Sequence, residues 1–384
     1  MDLKQFLKTF LDTDEKLNDI STGETLSQTK LEVISTGSLL LDCALGCWGI
    51  PKGRIVQFYG RPGSGKTLMS LLTIKNAQAL DPESTQLFID AEQTFNPKWA
   101  AQLGIDNKRV LVLKGQTAVL GRELFNALLG TPKEDARTHA YKGKAKDGIL
   151  DKITKKELNI NLIVLDSLGA LIPPGEDTSE VGKANMALMA RFLATTLKKL
   201  ALEVSKANIP FIIINHVRDS MDAYGPDHTF SGGNSYHHAL SASIFFDTVN
   251  RKDAQILDSK DQKIGTTIRA AVEKSKFGPS RKTEFKVNYT QGIMDRHEEI
   301  ATLAIDKDIV TRPNLQTYQY GDQKWRGVDN FIAAIDANPK LSAELLAAVI
   351  AKVNSGEPEE ALDSKHVHVS EDVHGLLTSA EDEE

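Results

Sequence analysis

The chain has 384 residues, of which 41% are apolar, which is enough for one large domain with additional modules around a sizeable core. No segment approaches the roughly 20 consecutive apolar residues that a membrane-spanning helix needs, so the sequence excludes a membrane protein. The formal net charge of −6 is unevenly distributed, because ten acidic residues and a single lysine lie from Ser355 onward.

Residues 2–18 place apolar side chains at helical spacing and predict an amphipathic helix. Charges interrupt its apolar positions, so we do not expect a signal peptide. Cys43 and Cys47 are the two cysteines, and they suit the reduced thiols of a cytoplasmic protein. The helix must bury its apolar stripe on the chain's own core or on a neighbouring subunit, and the pattern leaves both options open. Residues 1–33 form this N-terminal helix and its linker.

From residue 34 onward, short apolar runs alternate with helical patterns. Near-continuous apolar strands between helices predict an α/β fold with a mostly parallel central sheet that is covered on both faces. Residues 266–276 and 283–289 predict a later antiparallel pair. The earlier runs of strand length are residues 54–60, 86–92, 161–171, 210–217 and 242–250.

Residues 131–160 interrupt this alternation with eight Lys/Arg against five Asp/Glu and little periodicity. We interpret them as a basic surface insertion, which is either a solvated loop or a nucleic-acid contact. Residues 328–354 predict two helices that are broken at an Asn-Pro pair, within a C-terminal domain of residues 291–354. Residues 355–384 predict a disordered acidic tail, which either aids solubility or competes for a basic surface.

The segment "GRPGSGKT" matches the phosphate-binding pattern G-x-x-x-x-G-K-[ST] and has a strand before it and a helix after it. Its glycines let successive backbone N–H groups face phosphate oxygens, and the helix adds its positive end. Lys66 is expected to reach the β/γ phosphates of a nucleotide, and the Thr67 hydroxyl is expected to ligate Mg²⁺. The residues predicted to bind the nucleotide here are Gly60, Arg61, Pro62, Gly63, Ser64, Gly65, Lys66 and Thr67.

Acidic residues end two of the predicted strands. An aspartate at the end of a buried strand is costly unless it is used, so Asp166 is predicted to hold Mg²⁺ through water. The alternative is that Asp166 caps the next helix. Asp90 and Glu92 lie two residues apart at the end of the same predicted strand, and we expect only one of the two carboxylates to face the γ-phosphate. Glu92 lies further out and is our candidate to orient or deprotonate the attacking water.

Four segments together resemble the RecA family of bacterial DNA strand-exchange recombinases. They are "ISTGSLLLDCALGCWGIPKGRIVQFYGRPGSGKT", "LFIDAEQTFNPKWAAQLGID", "LIVLDSLGALIP" and "GGN" at residues 232–234. The correspondence runs from about Ser35 to Asn354. The resemblance implies a RecA-type ATPase core over residues 34–290 that forms helical filaments on single-stranded DNA. It also implies homologous pairing with duplex DNA, strand exchange, and packing of the N-terminal helix on the adjacent subunit.

In this family ATP lies between adjacent subunits. The resemblance makes Glu92 the catalytic carboxylate and matches Lys274 and Lys276 to lysines that reach the γ-phosphate from the next subunit. Cations supplied in this way stabilise transition-state charge only when subunits are stacked. The residues that fall where the family contacts or flanks the adenine base are Asn96, Trp99 and Tyr289.

The resemblance also implies two DNA-binding loops, residues 176–188 and 218–233, which are rich in glycine and polar residues and follow sheet strands. Cations would contact the DNA backbone, methionines would wedge between base triplets, and glycines would allow close approach. The implied residues are Met186, Arg191, Lys198, Lys199, Arg218, Met221, Gly232 and Gly233.

Two positions depart from the family pattern. His216 stands where the family has a glutamine that senses the γ-phosphate, and His238 stands where it has an aromatic residue that couples subunits. A histidine at 216 is similar to certain bacteriophage recombinases, which favours a divergent, phage-encoded member. A single-strand-binding protein or a loading mediator is an implied partner.

Two other functions are compatible with a phosphate-binding loop: a hexameric helicase of the same superfamily and a non-catalytic recombination mediator. The detached N-terminal helix favours an open filament over a closed ring. Intact Lys66, Glu92, Lys274 and Lys276 argue against a mediator without turnover.

Overall fold

The computed structural model describes residues 31–134, 141–176, 186–219, 228–230, 233–249, 251 and 254–355. The predicted N-terminal helix lies outside the described residues, as does the acidic tail from residue 356 onward.

Strands and helices alternate through the first half of the described chain. The strands are β1 (Val33–Ile34), β2 (Ile50–Pro51), β3 (Ile55–Gly60), β4 (Thr85–Asp90), β5 (Val110–Leu113), β6 (Thr131–Glu134), β7 (Tyr141–Lys146), β8 (Ile160–Asp166), β9 (Phe211–Asp219), β10 (His228–Phe230), β11 (Ala242–Thr248), β12 (Gln255–Leu257), β13 (Lys263–Ser275), β14 (Arg281–Asn288), β15 (Gly292–Ile293), β16 (Thr311–Asn314), β17 (Thr317–Tyr320) and β18 (Gln323–Arg326). The α-helices are α1 (Leu39–Ala44), α2 (Lys66–Leu80), α3 (Pro97–Gln102), α4 (Gln116–Val119), α5 (Gly121–Leu129), α6 (Ile149–Thr154), α7 (Met186–Ala207), α8 (Gly233–Ala239), α9 (Arg296–Asp306), α10 (Val328–Ala337) and α11 (Pro339–Asn354).

One large sheet organises the chain and has the order β15-β14-β13-β11-β3-β9-β8-β4-β5 within the described residues. All neighbours from β11 to β5 are parallel, whereas β13, β14 and β15 add to the other side in antiparallel fashion. The predicted α/β fold, its mostly parallel sheet and the later antiparallel pair are therefore confirmed. β8 is shorter than its apolar run, because it ends at Asp166 and a 3₁₀ turn follows.

The two faces of the sheet bury separate apolar clusters, because side chains alternate along each strand. One face packs Val164 and Ile212 against Met69 of α2. The other face packs Ile163 and Ile213 against helices α5 to α8. Central strands with both faces covered explain why the sequence shows continuous apolar runs there instead of alternation.

The basic insertion has regular structure, so the expectation of a plain loop is wrong. β6 and β7 form an antiparallel hairpin, and α6 follows it. The helix forms because Leu150 and Ile153 are buried in the core. Lys144 Nζ lies 2.5 Å from an Asp151 oxygen and 3.5 Å from a Glu203 oxygen on α7, which ties the hairpin to that helix.

The C-terminal helices and the β16–β18 sheet share a third apolar cluster. The two predicted helices and their break are confirmed, and the Asn338 side chain caps α11. Leu39 and Cys43 of α1 extend into this cluster, whereas Leu41 and Ala44 belong to a cluster of the central sheet, so α1 connects the two. At the amino end of α1, the buried Glu299 carboxylate accepts hydrogen bonds from Ser38 Oγ (2.6 Å) and Leu39 N (2.8 Å).

Burial raises the pKa of Glu299 to about 7, and the nearby charge of Asp42 acts in the same direction. The folded chain therefore holds this proton more tightly than the unfolded chain between pH 4.5 and 7. Stability contributed by this group is present at low pH and is lost as the pH rises through that window.

We predict that Glu299→Gln reduces the pH dependence of unfolding between pH 5 and 8, because glutamine does not ionise. Relative to the unmodified chain, the variant should gain stability towards pH 8 by an amount on the order of 1–3 kcal/mol. Denaturant unfolding followed by circular dichroism at each pH measures this. Glu344→Gln, which removes an exposed carboxylate of α11, is the control. Parallel pH profiles for Glu299→Gln and the unmodified chain would contradict the prediction.

Candidate functional site

The phosphate-binding loop joins the carboxyl end of β3 to α2, as the pattern predicts. Gly60 has φ 152° and Gly65 has φ 95°, which are conformations that side chains disfavour. A Cβ atom on Gly60 would lie 2.1 Å from the Phe246 carbonyl oxygen, and one on Gly65 would lie 2.4 Å from Ile268 Cδ1. Backbone conformation therefore favours glycine at both positions, and at Gly60 the Phe246 carbonyl group also leaves no space for a side chain.

Lys66 is folded into the loop and is only 4% exposed. Its Nζ donates to the carbonyl oxygens of Gly60 (3.0 Å) and Arg61 (2.7 Å) and approaches Ser64 Oγ at 3.4 Å. Burial lowers the pKa of the Lys66 ammonium to about 8, against the opposing charges of Asp166 and Glu92. The ammonium is thus held at the centre of the loop, where phosphate oxygens would need it.

Asp166 lies at the end of β8 and is 2% exposed. The Thr67 hydroxyl donates to its Oδ2 at 2.8 Å. Burial raises the pKa of Asp166 to about 6. The alternative role, capping the next helix, is not adopted: Ser167 is the N-cap of the following 3₁₀ turn, which has no side-chain cap. A carboxylate and a hydroxyl in contact form the hard oxygen set that suits Mg²⁺.

Glu92 and Asp90 have different surroundings. The Asp90 oxygens accept from the backbone N–H groups of Thr94 (2.9 Å) and Phe95 (3.0 Å), so this carboxylate stabilises the turn. Glu92 instead accepts from Ser167 Oγ and lies 2.8 Å from His216 Nε2.

The hydrogen bond from His216, followed by the one from Ser167, holds the pKa of Glu92 below its ordinary value. In β9, His216 is level with Gly60 of β3. Its Nδ1 atom is buried without a partner within the described residues. The sequence did not single out Ser167, although its position directly after the strand-terminal aspartate was a usable signal.

The structure brings two of the three residues expected near the adenine base, Trp99 and Tyr289, into contact. Asn96 caps α3, with its Oδ1 accepting from Lys98 N (3.0 Å) and Trp99 N (3.2 Å). The Trp99 indole N–H donates to the Tyr289 carbonyl oxygen at 2.5 Å, so Trp99 and Tyr289 are neighbours in one chain.

Lys274 and Lys276 lie at the opposite edge of the sheet from the phosphate-binding loop. Lys274 is level with Ser243 of β11, which is level with Gln57 of β3. Because β13 runs antiparallel, Lys276 lies level with the amino end of β3, about 16 Å from Gly60 along the strand direction. The Lys274 ammonium donates to the His237 carbonyl oxygen. Neither lysine can serve the loop of its own chain.

The cations of α7 are spread along the helix. Met186 is its first residue, and Lys198 lies twelve residues later, about 18 Å along the axis. Arg191 is exposed near the first loop. Lys198 instead lines a cavity of about 280 Å³ together with Arg54, His238 and Lys276.

The remaining predicted DNA contacts divide between described and undescribed residues. Arg218 lies in β9, whose end pairs with β10, and Gly233 begins α8. Lys199 is exposed on α7. Met221 and Gly232 lie outside the described residues, as do most of the two loops. No helix in the described part of the chain is long and apolar enough to cross a membrane.

A glycine loop between a strand and a helix, with a buried aspartate ending a strand of the same sheet, defines a P-loop nucleoside triphosphatase. The family model described as "RecA N-terminal domain" matches residues 7–135 and 139–294. "Protein RecA" of Methylococcus capsulatus is 32% identical over 337 residues, which cover 87% of each chain. "Protein RecA" of Dichelobacter nodosus is 31% identical over 356 residues, 91% of this chain and 92% of that one. The chain belongs to the RecA family.

Membership defines the general activity. RecA-family proteins are DNA-dependent ATPases of DNA recombination and repair, and this chain is a recombinase of that class that binds ATP and DNA.

We predict that Gly65→Ala lowers the affinity for a fluorescent ATP analogue by about 10-fold or more, because strain and overlap with Ile268 displace the loop. Gly63→Ala is the matched control: its φ is 75°, but a Cβ there meets no atom within 4 Å. We expect the control to lose clearly less affinity. Equal losses in the two variants would contradict the role assigned to the Ile268 contact.

Proposed function

We propose that the chain binds ATP and Mg²⁺ between adjacent copies, forms helical filaments on single-stranded DNA, and catalyses homologous pairing and strand exchange with duplex DNA. The observation that carries this proposal is the position of Lys274 and Lys276, which lie at the edge of the sheet opposite the phosphate-binding loop.

The first half of the proposed site is the carboxyl edge of the central sheet in one copy, which carries the phosphate-binding loop (the loop edge). Lys66 binds the β/γ phosphates, and Thr67 with Asp166 holds Mg²⁺, whose charge offsets that of the phosphates. Glu92 orients the attacking water and accepts its proton. A lowered pKa keeps this carboxylate ionised, which a base requires at neutral pH. His216 contacts Glu92 at 2.8 Å and lies in β9, which leads towards the second loop, so it is suited to relay phosphate binding to that loop.

The second half is the amino edge of the central sheet in the next copy, which carries Lys274 and Lys276 (the lysine edge). Head-to-tail stacking of the copies brings the lysine edge of one copy against the loop edge of its neighbour. Such a heterologous contact generates a helical filament when the assembly does not close into a ring. Hydrolysis is then coupled to assembly, because transition-state charge is fully stabilised only at a completed interface. Trp99 and Tyr289 contact the base from the loop edge, with Asn96 ordering α3 beside them.

The proposed DNA surface lies at the carboxyl edge of the sheet, where the two loops leave β8 and β9. Arg191, Lys198, Lys199 and Arg218 supply positive charge for the DNA backbone, and Gly233 opens α8 for close approach. Met186, Met221 and Gly232 complete the proposed set.

The proposed domain organisation keeps the boundaries expected from sequence. Residues 1–33 oligomerise, residues 34–290 form the ATPase core, residues 291–354 guide duplex DNA, and residues 355–384 form an acidic tail. We place this activity in the cytoplasm, with a single-strand-binding protein or a loading mediator as a further partner.

We predict that single-stranded DNA stimulates ATP hydrolysis and that Glu92→Gln lowers the stimulated kcat by about 100-fold or more, since it removes the base. ATP-dependent binding to a labelled oligonucleotide should persist, because the amide keeps an oxygen for Ser167 and His216. Glu83→Gln, an exposed carboxylate near α2, is the control. Electron microscopy of the DNA complex should show open filaments. Closed rings, or an ATPase rate indifferent to DNA, would contradict the proposed function.

A further inference from the structure

Ser167 contributes its hydroxyl to the candidate site and not to the turn that it begins. It directly follows Asp166 at the end of β8 and is fully buried. A serine at an N-cap position usually accepts a hydrogen bond from a backbone N–H group of the turn that follows. The side chain of Ser167 makes no such bond, and its Oγ donates instead to Oε1 of Glu92. Capping therefore does not explain this hydroxyl.

The two hydrogen bonds to the Glu92 carboxylate share one oxygen. Ser167 Oγ and His216 Nε2, the latter at 2.8 Å, both contact Oε1. Among the residues that the structure describes, none forms a hydrogen bond to Oε2. The Glu92 side chain is 31% exposed, so water can reach it. The protein thus holds one oxygen of the carboxylate and leaves the other for a water molecule.

Asp90, two residues earlier, is bonded differently. Each of its oxygens accepts from a backbone N–H group, Thr94 N at 2.9 Å and Phe95 N at 3.0 Å. Both oxygens of Asp90 therefore stabilise a turn. The one-sided bonding of Glu92 is a consequence of its own surroundings and is not shared by the other carboxylate of this strand end.

The backbone ties Glu92 to the same segment that carries Ser167. The Asp166 carbonyl oxygen accepts from Ala91 N at 2.8 Å and from Glu92 N at 3.3 Å. The Asp166 side chain accepts from the Thr67 hydroxyl at 2.8 Å. Residues 166 and 167 thus hold Glu92 by its backbone and its side chain, next to the carboxylate and hydroxyl proposed to bind Mg²⁺. Such support from a rigid strand end fixes the direction of a side chain.

We propose that Ser167 is a positioning residue for ATP hydrolysis: together with His216 it fixes Oε1 of Glu92, so that Oε2 faces the water that attacks the γ-phosphate. This inference rests on the proposed function and adds the residue that orients its base. As the water oxygen bonds to the γ-phosphorus, its proton passes to Oε2. The bond from that phosphorus to the bridging oxygen breaks, and the oxygen leaves with ADP.

A positioning role predicts a loss of rate without a loss of binding. We expect Ser167→Ala to lower the DNA-stimulated kcat by about 10-fold or more, because an unsupported carboxylate leaves the productive geometry. The KM for ATP and the affinity for a fluorescent ATP analogue should change by less than about two-fold, since the hydroxyl contacts Glu92 and not the nucleotide.

Ser84→Ala is the matched control for the removal of a buried serine hydroxyl. Ser84 is fully buried, and its Oγ donates to the Asp81 carbonyl oxygen at 2.8 Å. It directly precedes β4, at the amino edge of the sheet, away from the phosphate-binding loop. This variant should keep the full stimulated kcat.

A double-mutant cycle shows whether Ser167 acts through Glu92. Single-turnover hydrolysis on single-stranded DNA is measured for Glu92→Ala with and without Ser167→Ala. The second substitution should cost less than about two-fold there, because no carboxylate is left to position. A hydroxyl that stabilised the fold or contacted ATP directly would cost the same factor in both backgrounds.

The outcomes separate this inference from the proposed function. The positioning role would be overturned by an unchanged kcat in Ser167→Ala, by a loss of ATP-analogue affinity, or by an equal loss of rate in the Glu92→Ala background. The proposed function survives each of these results if Glu92→Ala alone loses its stimulated rate. An unmodified chain without DNA-stimulated hydrolysis, or a fully active Glu92→Ala variant, would overturn both. A loss of kcat that disappears in the Glu92→Ala background supports the positioning role.

Discussion

The parallel hydrogen-bonded register of β3 with β9 and β11 determines where the functional side chains lie. It aligns Gly60 with His216 on one side and with Phe246 on the other. Parallel strands end at the same edge, so the loop, Asp166, Glu92 and His216 gather there. The antiparallel return of β13 carries Lys274 and Lys276 to the other edge. We therefore propose that one chain presents two half-sites that face in opposite directions.

At the loop edge, burial shifts the pKa values of two ionisable groups in opposite directions. The Lys66 pKa falls and the Asp166 pKa rises, because both charged forms lose solvation. Glu92 is more exposed, and its hydrogen bonds keep its pKa low. A nucleotide with its metal ion would compensate the buried charges that the protein alone leaves poorly solvated.

The segment before β2 connects this edge to the C-terminal region. Asn76 of α2 donates to the Ser35 carbonyl oxygen at 3.1 Å, and Ser38 donates to Glu299 of α9 at 2.6 Å. The helix that begins with Lys66 and the C-terminal apolar cluster thus contact the same short stretch of chain. A displacement of α2 or of α9 would therefore change the hydrogen bonds that hold this stretch and so affect the other helix.

Local patterns predicted the phosphate-binding loop, the strand-terminal Asp166 and the apolar runs that form the central strands, because backbone geometry and burial act over a few residues. The choice of Glu92 over Asp90 rested on its position further out at the carboxyl end of the strand. Helix α6 in the basic insertion escaped prediction because it is stabilised by Leu150 and Ile153, which are buried in a core formed by distant parts of the chain.

We propose above all that each nucleotide site is completed by a second copy. The most direct test measures ATP hydrolysis per bound chain on oligonucleotides that hold a single copy and on longer ones that hold many. The account predicts negligible stimulation on the short oligonucleotides and a rate per chain that rises with length towards a plateau. An equal rate per bound chain at every length would contradict it.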